Sequence, residues 1–342
     1  MRLHEIGPLE DNPEPLVAED LEDPCPGSGE LLLRVAVCGV CHTELDEIEG
    51  RTPPPRLPVI PGHQAVGRVE ALGAGATRFR AGDRVGVAWI YSACGECELC
   101  RSGRENLCDE FLATGRDADG GYAELMTVHE DFVHAVPDSL GDAVAAPLLC
   151  AGAIGYRSLK LTGIGDGQRL GLTGFGASGH LVLKMVRARF PNTEVFVFAR
   201  NPDERRFAEE LGATWTGPTE AAAPHKLHAI IDTTPAWKPV IEALANLAPG
   251  GRLVINAIRK EGGDQVELTR LDYAEHLWLE KQIQSVANIT RHDVAALLQL
   301  AGEMQITPEV EEYALEDANR ALRELRAGGV RGAKVLRIGP RD

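Results

Sequence analysis

Apolar positions in the first third of the chain fall in short runs of extended character. Leu31-Leu32-Leu33-Arg34-Val35-Ala36-Val37 reads as a strand, and Val66 to Leu72 as another. Gly82-Asp83 is a turn signal leading into a third strand that ends at Val87. Between them, Arg51-Thr52-Pro53-Pro54-Pro55-Arg56-Leu57-Pro58 excludes helix and predicts a stiff surface connection. After about Pro147 the pattern changes to strands alternating with helices. Arg169 to Thr173 is an apolar strand, and Ser178 to Arg189 a helix stopped by Pro191. Glu194 to Ala199 is the next strand. Asn201 then caps a helix with Pro202 at its first position and Gly212 as its stop. Ala229 to Asp232 and Gly251 to Asn256 complete a βαβ series, which predicts a parallel sheet covered by helices. Thr290 and Asp293 are spaced as a capping pair for a further helix. Ala333 to Ile338 closes the chain as a strand expected to return to the first domain.

The length of 342 residues exceeds what one core organises and predicts two domains. Hydrophobic content of 44% and charged content of 25% are those of an ordinary globular protein. A net charge of −16 argues against nucleic acid and anionic membrane surfaces as partners. No apolar run approaches the roughly 20 residues of a membrane span. The start, Met1-Arg2-Leu3-His4-Glu5, lacks the apolar stretch of a signal peptide, so a cytoplasmic setting with reduced cysteines is expected.

The eight cysteines divide unevenly. Cys94, Cys97, Cys100 and Cys108 occupy one loop with C-x2-C-x2-C-x7-C spacing, which closes a tetrahedral all-thiolate site by itself. An iron–sulfur cluster is the rival reading, and the x7 gap without a following proline fits it poorly. Cys41, followed by His42, and Cys150 lie on either side of this loop, with a Pro61-Gly62-His63 turn before it. These scattered residues suggest a second, open metal site. Cys38 reads as a packed thiol continuing the Leu31 strand, and Cys25, in Pro-Cys-Pro, likewise as packed. His129, His134 and His180 read as structural.

Gly174-Phe175-Gly176-Ala177-Ser178-Gly179 is a G-x-G-x-x-G that follows a buried strand and opens a helix. In that context it predicts a dinucleotide pyrophosphate at the helix N-terminus, held by Gly174, Gly176, Ala177, Ser178 and Gly179. An acid at the end of the second strand would select NAD. The strand ends instead in Phe198-Ala199-Arg200-Asn201, and the Arg200 guanidinium suits a phosphate, so NADP(H) is favoured over NAD(H). The bland reading of Arg200 is a solvated surface arginine. Thr233, after the Ala229 strand, joins Ala199 and Arg200 in the cofactor-binding set.

Cys38-Gly39-Val40-Cys41-His42-Thr43-Glu44-Leu45, Pro61-Gly62-His63-Gln64, the four-cysteine loop, Gly120-Gly121-Tyr122-Ala123-Glu124, Pro147-Leu148-Leu149-Cys150-Ala151-Gly152 and the Gly174 loop together resemble the zinc-dependent alcohol dehydrogenases of the medium-chain dehydrogenase/reductase superfamily. The resemblance implies an α/β protein: a GroES-like, β-rich catalytic domain from residues 1–148 and 288–342, and a Rossmann doubly wound parallel-sheet domain over 149–287. It implies catalytic zinc on Cys41, His63 and Cys150, structural zinc on the quartet, and hence two zinc ions per chain. It gives Thr43 as the first proton-relay hydroxyl, His42 near the cofactor phosphates, and Trp89, Ile90 and Tyr91 as pocket residues. It also implies a homodimer or homotetramer. At the level of residues, Thr43 as a capping hydroxyl and His42 as ligand in place of Cys41 stay open. The chain departs from the commoner pattern at Gln64, usually glutamate, at Glu44, usually aspartate, and at Asp46, where many members have histidine as the relay's outer end. Glu44 is still suited to supporting the zinc ligands. The expected reaction is hydride transfer between a nicotinamide, NADPH favoured, and a small alcohol or aldehyde; a Trp at position 89 favours slim primary alcohols. The alternatives are an NAD-dependent member acting on another alcohol or polyol, and a non-catalytic zinc- and nucleotide-binding protein.

Overall fold

The apolar runs of the first third form neighbouring strands of one sheet in the computed structural model, which describes residues 1–328 and 331–339. The last residues of the expected C-terminal segment, 340–342, and residues 329–330 lie outside the described residues. The Glu30–Val40 strand is the centre of this sheet, pairing antiparallel with Ala65–Leu72, Leu125–His129 and Ala333–Arg337. Its side chains alternate as a half-buried strand requires: Leu31, Leu33 and Val35 enter the core, while Arg34 faces out and pairs with Glu70 at 2.8 Å. The closing strand therefore does return to the sheet built by the start of the chain.

The chain divides into two compact units, Met1–Ala153 with the residues from Ile289 on, and Ile154–Asn288. The second unit holds a six-stranded parallel sheet. Its order is Trp215–Gly217, Glu194–Phe198, Arg169–Thr173, Leu227–Asp232, Leu247–Ile255, Gln282–Ser285. Numbered along the chain, that is 3-2-1-4-5-6, the Rossmann order, whose reversal between the Arg169 and Leu227 strands opens a crevice at their C-terminal ends. The inner strands Glu194–Phe198 and Leu227–Asp232 are buried on both faces, which explains why they read as continuous apolar runs rather than alternations. Helix signals hold in both units. Asn201 caps Pro202–Glu210 by accepting from the Asp203 N–H, with Gly212 beyond the end at φ +93°, and Thr290 and Asp293 cap Arg291–Met304 reciprocally. Among the described residues no helix is long and apolar enough to cross a membrane.

Cys38 is fully buried in the central strand, and burial pushes its thiol pKa up. Cys25 corrects the sequence expectation: it is exposed, not packed. Flanking prolines hold Pro24–Pro26 extended, with no element beneath to cover the thiol.

His134 lies buried in the Val133–Ala135 strand, where burial first, then the charges of Arg78 and Arg291, lower its pKa to about 4. The unfolded imidazole binds a proton below about 6.5, so between these values the unfolded state holds more protons and stability is lost as the pH falls. On going from about pH 7 to about pH 5 this group should cost about 2 kcal/mol of unfolding free energy. Urea unfolding at both pH values should show that loss in the natural protein and its removal in His134→Asn; an unchanged pH dependence in the variant contradicts the assignment.

Candidate active site

The site begins with the end of the central strand. The chain leaves it extended at Cys41 and turns at once into the short helix His42–Ile48, buried from Thr43 to Ile48. The Cys41 N–H donates to Glu44 Oε2 at 2.8 Å, and Glu44 Oε1 lies 2.6 Å from His63 Nδ1. One fully buried carboxylate thus grips both residues, fixing the imidazole so that Nε2 faces away from it. Gly62, at φ +102°, makes the turn that delivers His63, and a Cβ there would sit 2.4 Å from the Tyr122 ring. Gly120, Gly121 and Tyr122 donate backbone N–H groups to Ile60, Gly62 and Pro61 respectively, locking that turn. This is what the Gly120-Gly121-Tyr122 sequence does.

Cys150 comes from the middle of a π-helical turn, Leu148–Gly152, directly after Pro147. Pro147 has no N–H and crowds the preceding turn, and widening to π geometry accommodates it. The Cys150 and Cys41 sulfurs are 3.9 Å apart, and the ligand atoms of Cys41, His63 and Cys150 all lie within 4.8 Å of one another. Among the described residues His63 Nε2 is buried with no hydrogen-bond partner, an uncommon state for a buried nitrogen. Two sulfurs and a nitrogen converging on one point, the nitrogen unsatisfied, fit a metal ion with three protein ligands and an open position. The carboxyl of Glu47, on the same helix, is also buried. Burial first, then the Glu44 charge, raises its pKa well above the usual carboxylate range.

The quartet forms around the Glu98–Arg101 helix. A zinc ion about 2.3 Å from four sulfurs puts them about 3.8 Å apart. Cys94 and Cys100 are 3.8 Å apart and Cys94 and Cys108 3.5 Å apart. The Cys97 N–H points at Cys94 Sγ and the Cys100 N–H at Cys97 Sγ, both at 3.4 Å. The Cys97 N–H chiefly lowers the Cys94 thiol to about 7, while burial raises Cys100 to about 12.

In the Rossmann unit, Gly174 turns at φ +79° where a Cβ would strike Thr233 Oγ1 at 2.7 Å. A Cβ on Gly179 would meet the Gly174 carbonyl at 2.9 Å, while one on Gly176 would meet nothing. The first and third glycines therefore serve turn and packing, and the second leaves room for a ligand. Ala177 and Ser178 open the helix Ala177–Arg189. Ala199 is buried and Arg200 exposed, and Arg205 Nη1 donates to both their carbonyls, at 2.6 and 3.0 Å. Thr233 donates its N–H and its hydroxyl to the Thr173 carbonyl, beside the buried Asp232–Lys260 ion pair.

Three sequence expectations change. Ile90 packs in the hydrophobic core rather than standing free as a pocket side chain. The Tyr91 hydroxyl donates to Glu30 Oε1 at 3.2 Å. Glu30 opens the strand that ends beside Cys41, roughly 30 Å back along an extended chain, so Tyr91 is drawn away from the metal ligands. Asp46 is buried and its Oδ1 lies 2.5 Å from Arg51 Nε, which commits the carboxylate to a guanidinium rather than to a proton relay. Trp89 stacks on Phe111 at 5.1 Å between centroids, the Thr43 hydroxyl lies 3.6 Å from Cys41 Sγ, and His42 is exposed. Gln64 is buried with its side chain against Gly39. Glu47 was not legible as a site residue, although its i,i+3 spacing from Glu44 puts both on one helix face.

The family profile described as alcohol dehydrogenase GroES-like domain matches residues 27–138, and that described as zinc-binding dehydrogenase matches 194–336. The chain is 42% identical over 337 residues to a probable alcohol dehydrogenase AdhA of Mycobacterium tuberculosis, covering 97% of this chain and 95% of that one. It is 34% identical over 334 residues to an alcohol dehydrogenase of Geobacillus stearothermophilus, covering 95% and 97%. Among solved structures, a cinnamyl alcohol dehydrogenase of Sorghum bicolor superposes with a TM-score of 0.85 at 29% identity, covering 98% and 97%.

Proposed function

Because the chain belongs to the GroES-like, zinc-binding alcohol dehydrogenases, we propose that it is a zinc-dependent, NADPH-preferring enzyme interconverting small alcohols and aldehydes. The observation that carries this reading is the Cys41, His63 and Cys150 trio, with one carboxylate holding two of its members and a buried, unpartnered Nε2. Zinc at that trio supplies Lewis-acid polarisation of a substrate oxygen. Glu44 keeps the His63 Nδ1 side engaged, so that Nε2 is the nitrogen offered to the metal. Thr43, beside Cys41, receives the proton from the alcohol as the first relay hydroxyl, and His42 serves the cofactor. The quartet holds a second, structural zinc, which gives two per chain. The GroES-like domain is assigned to 1–148 and 288–342 and the Rossmann domain to 149–287.

The choice of NADPH rests on Arg200, exposed at the end of its strand with its carbonyl pinned by Arg205. Arg200→Ala should lower kcat/KM for NADPH by about 10- to 100-fold, the worth of one charge-assisted phosphate contact, and leave NADH within about threefold. Parallel assays of both cofactors by nicotinamide absorbance over an alcohol panel test this. Equal or better rates with NADH in the natural protein refute the preference; no alcohol-dependent absorbance change refutes the enzyme. A homodimer or homotetramer is favoured by the Gln282–Ser285 strand, which ends its sheet with all four residues exposed, an edge that a second copy can extend. The cysteine pattern favours a reducing, cytoplasmic setting.

A further inference from the structure

A buried charge cluster sits where the strand order of the Rossmann unit reverses. Asp232 ends the Leu227–Asp232 strand with its side chain fully buried. Its Oδ1 accepts from the Thr173 hydroxyl at 2.5 Å and the Thr234 hydroxyl at 2.8 Å, and its Oδ2 from Lys260 Nζ. Lys260, with its side chain 9% exposed, also donates to the Thr234 and Ala236 carbonyls at 2.8 and 2.9 Å. An ammonium has three N–H donors, and here all three go to one short turn. The same loop ties that turn twice more. The Glu261 N–H donates to the Pro235 carbonyl at 2.7 Å, and Asp264 Oδ2 accepts from the Trp237 and Lys238 N–H groups, each at 2.8 Å. Residues 260–264 thus form a strap over residues 232–238. The strapped turn carries Thr233, whose N–H and hydroxyl donate to the Thr173 carbonyl at 3.0 and 2.9 Å. Its Oγ1 is the atom that a Cβ on Gly174 would strike, so the turn forms the wall facing the glycine loop.

Resting on the dehydrogenase reading above, we propose that Lys260 is a positioning residue for the nicotinamide cofactor: by strapping the 232–238 turn it holds Thr233 against the Gly174 loop and keeps the crevice in its binding form. A buried ion pair is a weak source of stability, because desolvating two charges offsets their attraction. What three directed bonds from one ammonium supply is a single geometry for the turn. Without the strap the turn samples other conformations, and the apparent dissociation constant rises in inverse proportion to the fraction of protein left in the binding form. A fall of that fraction to between about 10% and 1% weakens binding by about 10- to 100-fold. The Gly174 loop serves the pyrophosphate common to both cofactors, so NADPH and NADH should weaken alike. That differs from Arg200→Ala, whose loss is confined to NADPH.

The test measures dissociation constants of NADPH and NADH by fluorescence titration of the full, zinc-loaded chain. It compares the natural protein with Lys260→Met and with the double variant Lys260→Met/Asp232→Asn. The single substitution leaves the Asp232 charge buried and uncompensated, so the double variant, which removes both charges, is the decisive one. Both nucleotides should bind it about 10- to 100-fold more weakly, while kcat at saturating cofactor stays within about threefold and zinc content is unchanged. Unchanged dissociation constants in the double variant overturn the proposal, and so does a loss confined to one nucleotide. A double variant that fails to fold, or whose kcat falls as far as its affinity, also overturns it, because the pair then serves the stability of the whole unit. A natural protein that binds neither nucleotide overturns instead the cofactor reading on which the proposal rests.

Discussion

Replacing His63 with alanine is expected to lower alcohol-dependent reduction of the nicotinamide by about 10³-fold or more and to remove one zinc ion per chain. His63 supplies the only nitrogen of the trio, and its Nε2 has no hydrogen-bond partner among the described residues to compete with a metal. Without it two thiolates remain, too few to retain an ion against free chelator, and polarisation of the substrate oxygen is lost with the ion. The substitution also strips Glu44, fully buried, of its imidazole partner, so some loss of stability should accompany the loss of rate. Glu44→Gln separates the two effects. It keeps all three ligands and removes only the charge that orients His63, and zinc affinity should fall by about 10- to 100-fold. Metal analysis alongside steady-state rates reads both variants. A His63→Ala protein with full activity, or one that retains both ions, contradicts the assignment.

Cys97→Ser should have the opposite profile, a large effect on stability with a small one on chemistry. The quartet spans a loop whose only regular elements are the Glu98–Arg101 helix and a single turn at Glu105–Leu107, too little to bury a core of its own. A closed four-thiolate site contributes folding free energy directly. Loss of one thiolate should release the ion and cost about 3 kcal/mol or more, lowering the thermal midpoint by about 6–12 °C in domains of this size. Rates measured well below the new midpoint should stay within a few-fold. Calorimetry with zinc analysis checks this, and an unchanged midpoint together with an unchanged zinc content would show that the quartet holds no structural ion.

Much of this was legible because the signals are local. The quartet closes within one loop, so spacing alone brings its sulfurs together, and Thr290 and Asp293, three residues apart in sequence, cap their helix. The glycines of the Gly174 loop sit where strand meets helix, and the collisions a Cβ would make there with Thr233 and the Gly174 carbonyl follow from that junction. What escaped depends on contacts remote in sequence or on which face of a short element is covered. The stretch from Glu44 to Glu49 carries four acids, and the partners that absorb three of them are not legible in the sequence: Cys41 and His63 for Glu44, Arg51 for Asp46 and Glu49. Only the fold explains why Glu47 remains. Tyr91 was misplaced because its partner, Glu30, lies 61 residues earlier in the chain. Cys25 was misplaced because a thiol between prolines says nothing about whether anything packs over it.

The central claim is that the Cys41, His63 and Cys150 trio holds the zinc ion on which alcohol oxidation depends. It is tested most directly by depleting the protein of metal with a chelator until the structural ion alone remains, then titrating zinc back while following nicotinamide absorbance and bound zinc together. Activity should be absent at one zinc per chain and should rise in proportion to the second equivalent. Full alcohol oxidation at one zinc per chain, with the quartet occupied, would contradict the account.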